Sequence, residues 1–162
     1  MRILVTGANG FVGRNLCAQL KNIKDGKARN YGVTVTDVYE YDLDSMPEEL
    51  DRWCAEADFV FNLAGVNRPK DNSEFMSGNF GFASTLLDTL KKHNNTCPVM
   101  LSSSQQASLA GRFGNSEYGR SKKAGDHGIP VPNYVDENVS TKVVKIIQSY
   151  TGVVNKMVWR KF

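Results

Sequence analysis

The chain is 162 residues long, with 41% hydrophobic and 23% charged residues, which is enough for one hydrophobic core and predicts no linker between separate domains. Its 20 basic and 17 acidic residues give a net charge of +3, and the lysines are too scattered to form a nucleic-acid-binding face. Three widely spaced cysteines indicate neither a disulfide framework nor a zinc site, and no apolar stretch approaches the ~20 residues that cross a bilayer. We therefore expect a soluble, cytoplasmic protein with no metal, nucleic-acid or membrane partner.

The first thirteen residues contain a short strand, a glycine-rich turn and the start of a helix. The segment 2–6 is apolar and rich in β-branched residues, whereas the apolar spacing from Phe11 onward is helical. Gly7 allows a sharp bend, Gly10 lets the backbone approach a pyrophosphate, and Gly13 lets the helix pack closely on the strand. Such a turn predicts a phosphate cradle, although three glycines alone also fit the strand-to-helix turn of any α/β protein.

Strands and helices alternate along the rest of the chain as far as residue 126. Strands are predicted near residues 2–6, 33–41, 58–63 and 97–102. Helices are predicted over residues 10–22, 47–57 and 74–93, and a further helix carries Tyr118. Right-handed connections between these elements predict an α/β fold, a truncated Rossmann-type, doubly wound parallel sheet of about four strands in the order 3-2-1-4.

An acidic residue at the end of the second predicted strand is expected to accept hydrogen bonds from an adenosine ribose. Asp42 is the candidate, and its negative charge favours NAD over NADP. Asp37, Glu40 and Asp44 are rivals, and all four acids also fit solvated positions at a strand end. At the end of the third strand, Ala64 and Gly65 leave room for a flat ligand to pass close to the backbone.

The residues that fit catalysis follow the fourth predicted strand. Three serines occupy positions 102–104, and Tyr118 and Lys122 are four residues apart, so they share one helix face. An ammonium beside a phenol is expected to lower the pKa of the phenol. Such a tyrosine can protonate the alkoxide that hydride transfer to a ketone creates, while a serine hydroxyl holds the oxygen. A surface Tyr–Lys pair is the alternative, but the glycine-rich turn favours a reductase.

These motifs resemble the extended short-chain dehydrogenase/reductase family, in the NAD-dependent epimerase/dehydratase group. Over residues 1–126 they resemble the 4-keto reductases of the bacterial UDP-N-acetyl-L-fucosamine pathway, which serves capsule and O-antigen synthesis. The similar stretches are residues 6–13, 63–69, 74–79, 101–104 and 118–125. The resemblance implies an NAD(P)-binding domain and a UDP-linked nucleotide-sugar substrate. Members of this family generally use NADPH, with basic residues where this chain has Asp42 and Leu43, so NAD and NADP both remain candidates.

The same resemblance implies roles for individual residues. Tyr118 is expected to be the catalytic acid, Lys122 to orient the nicotinamide ribose, and Ser104, or alternatively Ser103, to bind the reacting oxygen. Asn79 is expected near the nicotinamide and the sugar. The residues expected to contact the cofactor are Gly7, Asn9, Gly10, Phe11, Val12, Gly13, Asp42, Leu63, Ala64, Gly65, Asn79 and Lys122.

The sequence departs from these reductases after Asp126, where glycine and prolines in the segment 127–132 break the helix. From about residue 134 it resembles the end of a UDP-N-acetylglucosamine 2-epimerase, and Ser140 can cap an amphipathic helix there. We expect an incomplete Rossmann domain over 1–126 and a one-helix tail over 127–162. An in-frame deletion joining two genes near residues 124–133, or a native short tail, explains the change.

Such a chain is expected to lack a substrate-binding lobe, which leaves two functions open. One is a nucleotide-sugar reductase or epimerase-type domain that uses Tyr118 as proton donor. The other is a catalytically incompetent remnant that keeps the fold and the dinucleotide or acts as an interaction module. In either case, the open edge of the sheet or the tail helix offers a surface for a homo-oligomer.

Overall fold

The sheet consists of four parallel strands within residues 1–28 and 32–126, which are the residues that the computed structural model describes. The strands are β1 (Arg2–Thr6), β2 (Asp37–Tyr41), β3 (Phe59–Asn62) and β4 (Val99–Leu101). All three neighbouring pairs are parallel, so their carboxyl ends meet at one edge of the sheet. The predicted parallel α/β sheet is confirmed.

The predicted strand order 3-2-1-4 is wrong, because the order in space is β2-β1-β3-β4. β3 pairs with β1, on the side away from β2. The residue types explain this arrangement. β3 carries the fully buried Val60 and is apolar enough for an inner position. β2 carries Asp37 and Glu40, which form ion pairs with Lys24 and Lys21 and suit an edge strand.

The helices connect the strands as predicted, with one difference. They are α1 (Phe11–Lys24), α2 (Pro47–Glu56), α3 (Ser73–Phe75), α4 (Phe82–Lys92) and α5 (Glu117–Asp126), with short 3₁₀ helices at Gln105–Ser108 and Gly111–Phe113. The single helix predicted over 74–93 is interrupted by a π-helical turn, Met76–Gly81, between α3 and α4. Asn79 is buried in this wider turn, with its amide directed at the loop after β3. π-Helical turns are frequent at functional sites.

Hydrophobic side chains fill both faces of the sheet. On one face, α2 and α4 pack on β1 and β3 through a cluster of Leu4, Leu50, Cys54, Ala57, Val60, Leu86 and Leu90. On the other face, α1 packs on the sheet through Ile3, Val5, Ala8, Cys17, Leu20 and Val35. Successive residues of β1 enter opposite clusters, because strand side chains alternate between faces. The doubly wound architecture is therefore observed.

The tail predicted over residues 127–162 lies outside the described residues. Among the helices within 1–28 and 32–126, none is both long and apolar enough to cross a membrane. In the same part of the chain, no three His, Cys, Asp or Glu side chains come together in a way that could hold a metal ion.

Candidate functional site

The glycine-rich turn follows β1 at the carboxyl edge of the sheet, and its glycines are sterically required at two positions. Gly7 has a φ of +69°, and a Cβ there would lie 2.7 Å from the backbone nitrogen of Ala64. A Cβ on Gly13 would overlap the carbonyl oxygen of Gly7. Gly10 is less restricted, because its Cβ would lie 3.2 Å from that same oxygen. The turn is therefore held tightly against β3 and α1, while Gly10 leaves its own side open.

A cleft of about 370 Å³ lies beside this turn. Its walls come from the turn, the end of β2, the loop after β3 and the π-helical turn with the start of α4, and they consist of Gly7, Gly10, Tyr41, Asp42, Leu43, Leu63, Ala64, Gly65, Val66, Gly78 and Phe82. The predicted cofactor residues among these are Gly7, Gly10, Asp42, Leu63, Ala64 and Gly65. Five lining residues were not predicted as site residues: Tyr41, Leu43, Val66, Gly78 and Phe82. Val66 directly follows the predicted Gly65, which is the one sequence signal that could have identified it.

The predicted residues Asn9, Phe11, Val12 and Gly13 belong to the turn or to the first turn of α1 but do not line the cleft. The side chains of Phe11 and Val12 are exposed. Gly13 packs directly against the backbone of the turn. The backbone N–H of Asn9 donates a hydrogen bond to Asp42.

The four candidate acids near the end of β2 occupy different environments. Asp42 lines the cleft, and its carboxylate accepts hydrogen bonds from the backbone N–H groups of Asn9 at 2.7 Å and Leu43 at 2.8 Å. Asp44 accepts a hydrogen bond from the side-chain amide of Asn9 at 3.1 Å. The remaining two, Asp37 and Glu40, form ion pairs with lysines of α1. Of the four, only Asp42 contributes to the cleft wall within the described residues.

The second part of the site lies on α5 and the loop before it. The side chains of Tyr118 and Ser104 are close enough to interact, and this interaction lowers the pKa of the phenol. Ser104 also caps the first 3₁₀ helix by accepting the Gln106 backbone N–H at 3.2 Å. The neighbouring Ser103 faces elsewhere, because its hydroxyl donates to the Asp126 carboxylate at 2.6 Å. The structure thus brings Ser104, and not Ser103, to Tyr118.

The pKa of Tyr118 lies above its ordinary value, because burial disfavours the phenolate, while the hydrogen bond with Ser104 acts in the opposite direction. The expectation from the sequence that Lys122 lowers this pKa is not met, because the net shift is upward and its causes are burial and Ser104. The Lys122 amine donates to the Ser102 carbonyl oxygen at 3.0 Å and lies 5.9 Å from the centre of the Tyr118 ring. Burial lowers the pKa of Lys122 itself, and the nearby Asp126 charge opposes this effect.

Lys122 nevertheless borders the cleft. Its residue surface is only 8% exposed, and a Cβ added to Gly65 would lie 2.8 Å from its amine. The same Cβ would lie 2.6 Å from the Oδ1 atom of Asn79. Gly65 is therefore the point where the cleft, Asn79 and α5 meet, and a side chain at this position would separate them.

Asn79 uses its amide for structure. Its Oδ1 accepts the Val66 backbone N–H at 2.9 Å, and its Nδ2 donates to the Val66 carbonyl at 3.0 Å and to the Ser121 hydroxyl at 2.9 Å. The amide thus connects the loop after β3 to α5, and its side-chain atoms are already engaged.

The start of α5 is anchored by two residues that sequence reasoning did not identify. The Ser116 hydroxyl accepts the Gly119 backbone N–H at 2.9 Å and donates to Gln106 Oε1 at 2.6 Å. A Cβ on Gly119 would overlap the Gln106 carbonyl oxygen. This close approach of the 3₁₀ helix to α5 keeps Ser104 beside Tyr118. Ser116 stands in the position typical of a helix cap, which is the sequence signal for it.

Comparison with known proteins identifies the family of the chain. The profile of the NAD dependent epimerase/dehydratase family matches residues 3–133. The chain is 38% identical over 132 residues to a UDP-2-acetamido-2,6-beta-L-arabino-hexul-4-ose reductase from Pseudomonas aeruginosa. That alignment covers 81% of this chain and 31% of the reductase, so the chain spans about a third of the relative's length. The predicted resemblance to 4-keto reductases is confirmed.

Two solved structures are also similar. The capsular polysaccharide assembling protein CapF from Staphylococcus aureus is 36% identical, with a TM-score of 0.56 over 78% of this chain and 30% of CapF. A UDP-glucuronic acid 4-epimerase from Bacillus cereus, crystallised with NAD, is 21% identical, with a TM-score of 0.59 over 78% of this chain and 50% of the epimerase, and supports the fold alone. The family profile spans both the glycine-rich turn and α5, and the chain belongs to the NAD-dependent epimerase/dehydratase family.

Proposed function

We propose that residues 1–126 bind a nicotinamide dinucleotide and reduce the keto group of a UDP-linked sugar in the synthesis of a bacterial surface polysaccharide. The observation that carries this proposal is the meeting of the cleft with α5 at Gly65, beside Lys122. It brings a tyrosine hydrogen-bonded to a serine and a buried lysine next to a glycine-lined cleft. The names of the reductase from Pseudomonas aeruginosa and of CapF support the substrate class and the pathway.

The cleft fits a dinucleotide for steric and electrostatic reasons. Gly10 has no side chain, so the turn leaves room for a pyrophosphate that a Cβ would fill, and backbone N–H groups at the start of α1 favour an anion. Asp42 would hold the adenosine ribose, and Lys122 would hold the nicotinamide ribose. When bound, the nicotinamide supplies the hydride for reduction of the ketone.

Tyr118 would donate the proton. Its phenol is protonated at neutral pH, as that of any tyrosine is, and can transfer its proton to the oxygen of the reacting carbonyl; burial raises its pKa further. The Ser104 hydroxyl would hold the same oxygen, since it already bonds the Tyr118 side chain. The Lys122 amine would compensate the negative charge left on the phenolate, and its burial strengthens this interaction.

We infer that NADH is preferred to NADPH. Asp42 lines the cleft as an acid, and a ribose 2′-phosphate at this place would meet its negative charge. The family resemblance favours NADP instead, so the inferred preference for NADH depends on the negative charge of Asp42.

The test uses the purified 162-residue chain with NADH and a UDP-linked 2-acetamido-2,6-dideoxy-4-keto sugar, with NADH absorbance as the readout. We expect oxidation of NADH that Tyr118→Phe reduces by at least about a hundredfold, the usual contribution of a positioned proton donor. Tyr39→Phe is the matched control, because Tyr39 lies on the edge strand β2, its hydroxyl bonds Glu56 of α2, and it is not part of the cleft lining. NADH binding without Tyr118-dependent oxidation would instead support the dinucleotide-binding module that the sequence left as the alternative.

A further inference from the structure

Ser121 is a buried polar residue of α5 to which the proposed reduction assigns no role. It lies between Tyr118 and Lys122 in sequence, and its residue surface is 0% exposed. Its hydroxyl donates to the Tyr118 carbonyl oxygen at 2.8 Å and accepts a hydrogen bond from Nδ2 of Asn79 at 2.9 Å. One side chain therefore joins the backbone of the tyrosine to the π-helical turn.

The connection continues to the wall of the cleft. Asn79 holds both the N–H and the carbonyl of Val66, and Val66 lines the cleft next to Gly65. The two hydrogens of the Asn79 amide are divided between the Val66 carbonyl and Ser121. The resulting path runs from the cleft wall through Asn79 and Ser121 to the backbone of Tyr118. Every step of this path is a hydrogen bond of 3.0 Å or less between buried or partly buried groups.

An ordinary helical serine does not make such a connection. Ser77 also donates to carbonyl groups of its own helical run, at 3.4 Å from the Ser73 and Glu74 oxygens, but it is exposed and both acceptors lie in the preceding turn. Ser121 differs because a buried amide from another element donates to it. Without the hydroxyl, one N–H of Asn79 would have no partner in a buried place, which is costly and favours a shift of α5 or of the π-helical turn.

We propose that Ser121 is a positioning residue, which sets the place of Tyr118 and Lys122 relative to the cleft through its hydrogen bond with Asn79. The effect on catalysis rests on the proposed function, whereas the effect on the position of Tyr118 does not. Ser121 touches neither cofactor nor substrate. It acts by keeping the Tyr118 hydroxyl at Ser104 and the Lys122 amine at Gly65.

The experiment compares Ser121→Ala with the matched control Ser77→Ala in the full chain. The titration of the Tyr118 phenol is followed by NMR on ¹³C-tyrosine-labelled protein, and the signal is assigned by its loss in Tyr118→Phe. In Ser121→Ala we expect the pKa of Tyr118 to rise, because the hydrogen bond from Ser104 that opposes the effect of burial is weakened. In Ser77→Ala we expect no change.

Turnover of the keto sugar is the second readout. Ser121→Ala should lower kcat by about tenfold, which corresponds to about 1.4 kcal/mol, and leave KM within about twofold. If the unaltered chain does not turn over, the proposed function fails, and the titration alone decides the role of Ser121. An unchanged Tyr118 titration in Ser121→Ala overturns the positioning role whatever the turnover. Should Ser121→Ala not fold, Ser121→Cys, of similar size but a weak hydrogen-bonding group, is judged by the same two readouts.

Discussion

The backbone N–H of Asn9 donates a 2.7 Å hydrogen bond to the carboxylate of Asp42, which ties the glycine-rich turn to the end of β2. The Leu43 N–H donates to the other carboxylate oxygen at 2.8 Å. The negative charge is thereby kept at the wall of the cleft, where the proposed function has it hold the adenosine ribose. This relationship makes the choice of cofactor testable.

Asp42→Asn is expected to shift the preference from NADH toward NADPH. The amide keeps an oxygen that can accept the Asn9 N–H, but it removes the charge that would repel a 2′-phosphate. We expect the ratio of the two dissociation constants to change by about tenfold or more, since two charges near a protein surface interact with about 1–4 kcal/mol at 4 Å. Fluorescence titration with both cofactors measures the ratio. Asp44→Asn is the control. Because Asp44 accepts a hydrogen bond from the Asn9 side chain but does not line the cleft, this substitution should leave the ratio of the two dissociation constants unchanged.

Gly10→Val is expected to abolish dinucleotide binding while the fold is kept. Gly10 has φ −69° and ψ 168°, a conformation that any residue adopts, and its Cβ would meet only the Gly7 oxygen, at 3.2 Å. The valine side chain would instead occupy the space beside the turn. Calorimetry with NADH and a thermal melt measure the two effects. Unchanged affinity would show that the dinucleotide binds elsewhere.

Gly13→Ala should have the opposite pattern, with a loss of stability as its main effect. The added Cβ would overlap the Gly7 oxygen and lie 2.8 Å from the Ala8 Cα, and both neighbours are backbone atoms that cannot turn away. We expect a loss of roughly 3 kcal/mol in the free energy of unfolding, the upper range for overpacking. Urea unfolding provides the measurement, and a stability equal to that of the unaltered chain would mean that α1 approaches β1 less closely than described.

Ser104→Ala is expected to raise the pKa of Tyr118. The hydrogen bond with Ser104 is the contribution that lowers this pKa, so its removal leaves the effect of burial unopposed. The tyrosine would then stay protonated to higher pH, and any pH-dependent loss of proton donation would move upward. NMR titration of labelled Tyr118 measures the shift. Ser103→Ala serves as the control, because Ser103 bonds Asp126, and an equal shift in both variants would argue against a specific Ser104–Tyr118 contact.

The ion pair between Arg2 and Asp58 should make stability dependent on pH. Hydrogen bonds from the Arg2 side chain and backbone lower the pKa of Asp58 from 3.8 to about 2. Because the folded-state pKa is depressed, the contribution is present above pH 3.8 and disappears as the pH falls toward about 2. Asp58→Asn should therefore be less stable than the unaltered chain at pH 7, with a difference that shrinks below pH 3.8. Asp88→Asn, at an exposed position of α4, should show no such convergence in urea unfolding.

Local patterns determined the kinds of element and the types of residue in the site. The change from strand to helical spacing around the glycine-rich turn predicted β1 and α1, and the four-residue interval between Tyr118 and Lys122 predicted that both lie on one helix. These features depend on neighbours along the chain, so residue types and spacing are sufficient. The bounds of β2 and β4 were predicted too long, because pairing with other strands decides where a strand ends.

Features that depend on contacts between distant segments were decided by the tertiary structure. The pairing of β3 with β1, which replaces the predicted strand order, depends on which strands tolerate an edge. The selection of Asp42 from four acids depends on the N–H of Asn9, and that of Ser104 over Ser103 depends on where Asp126 lies. No spacing rule encodes these partners, since they are 23–33 residues apart in sequence.

The electrostatics of the site show the same division. The sequence by itself determined that a lysine accompanies the tyrosine on one helix face. Only the tertiary structure decided that the Lys122 amine bonds the Ser102 carbonyl and that burial raises the pKa of Tyr118. The physical reason is that a pKa depends on solvent exposure and on the partner atoms in space, and both are supplied by segments that meet only when the sheet is assembled.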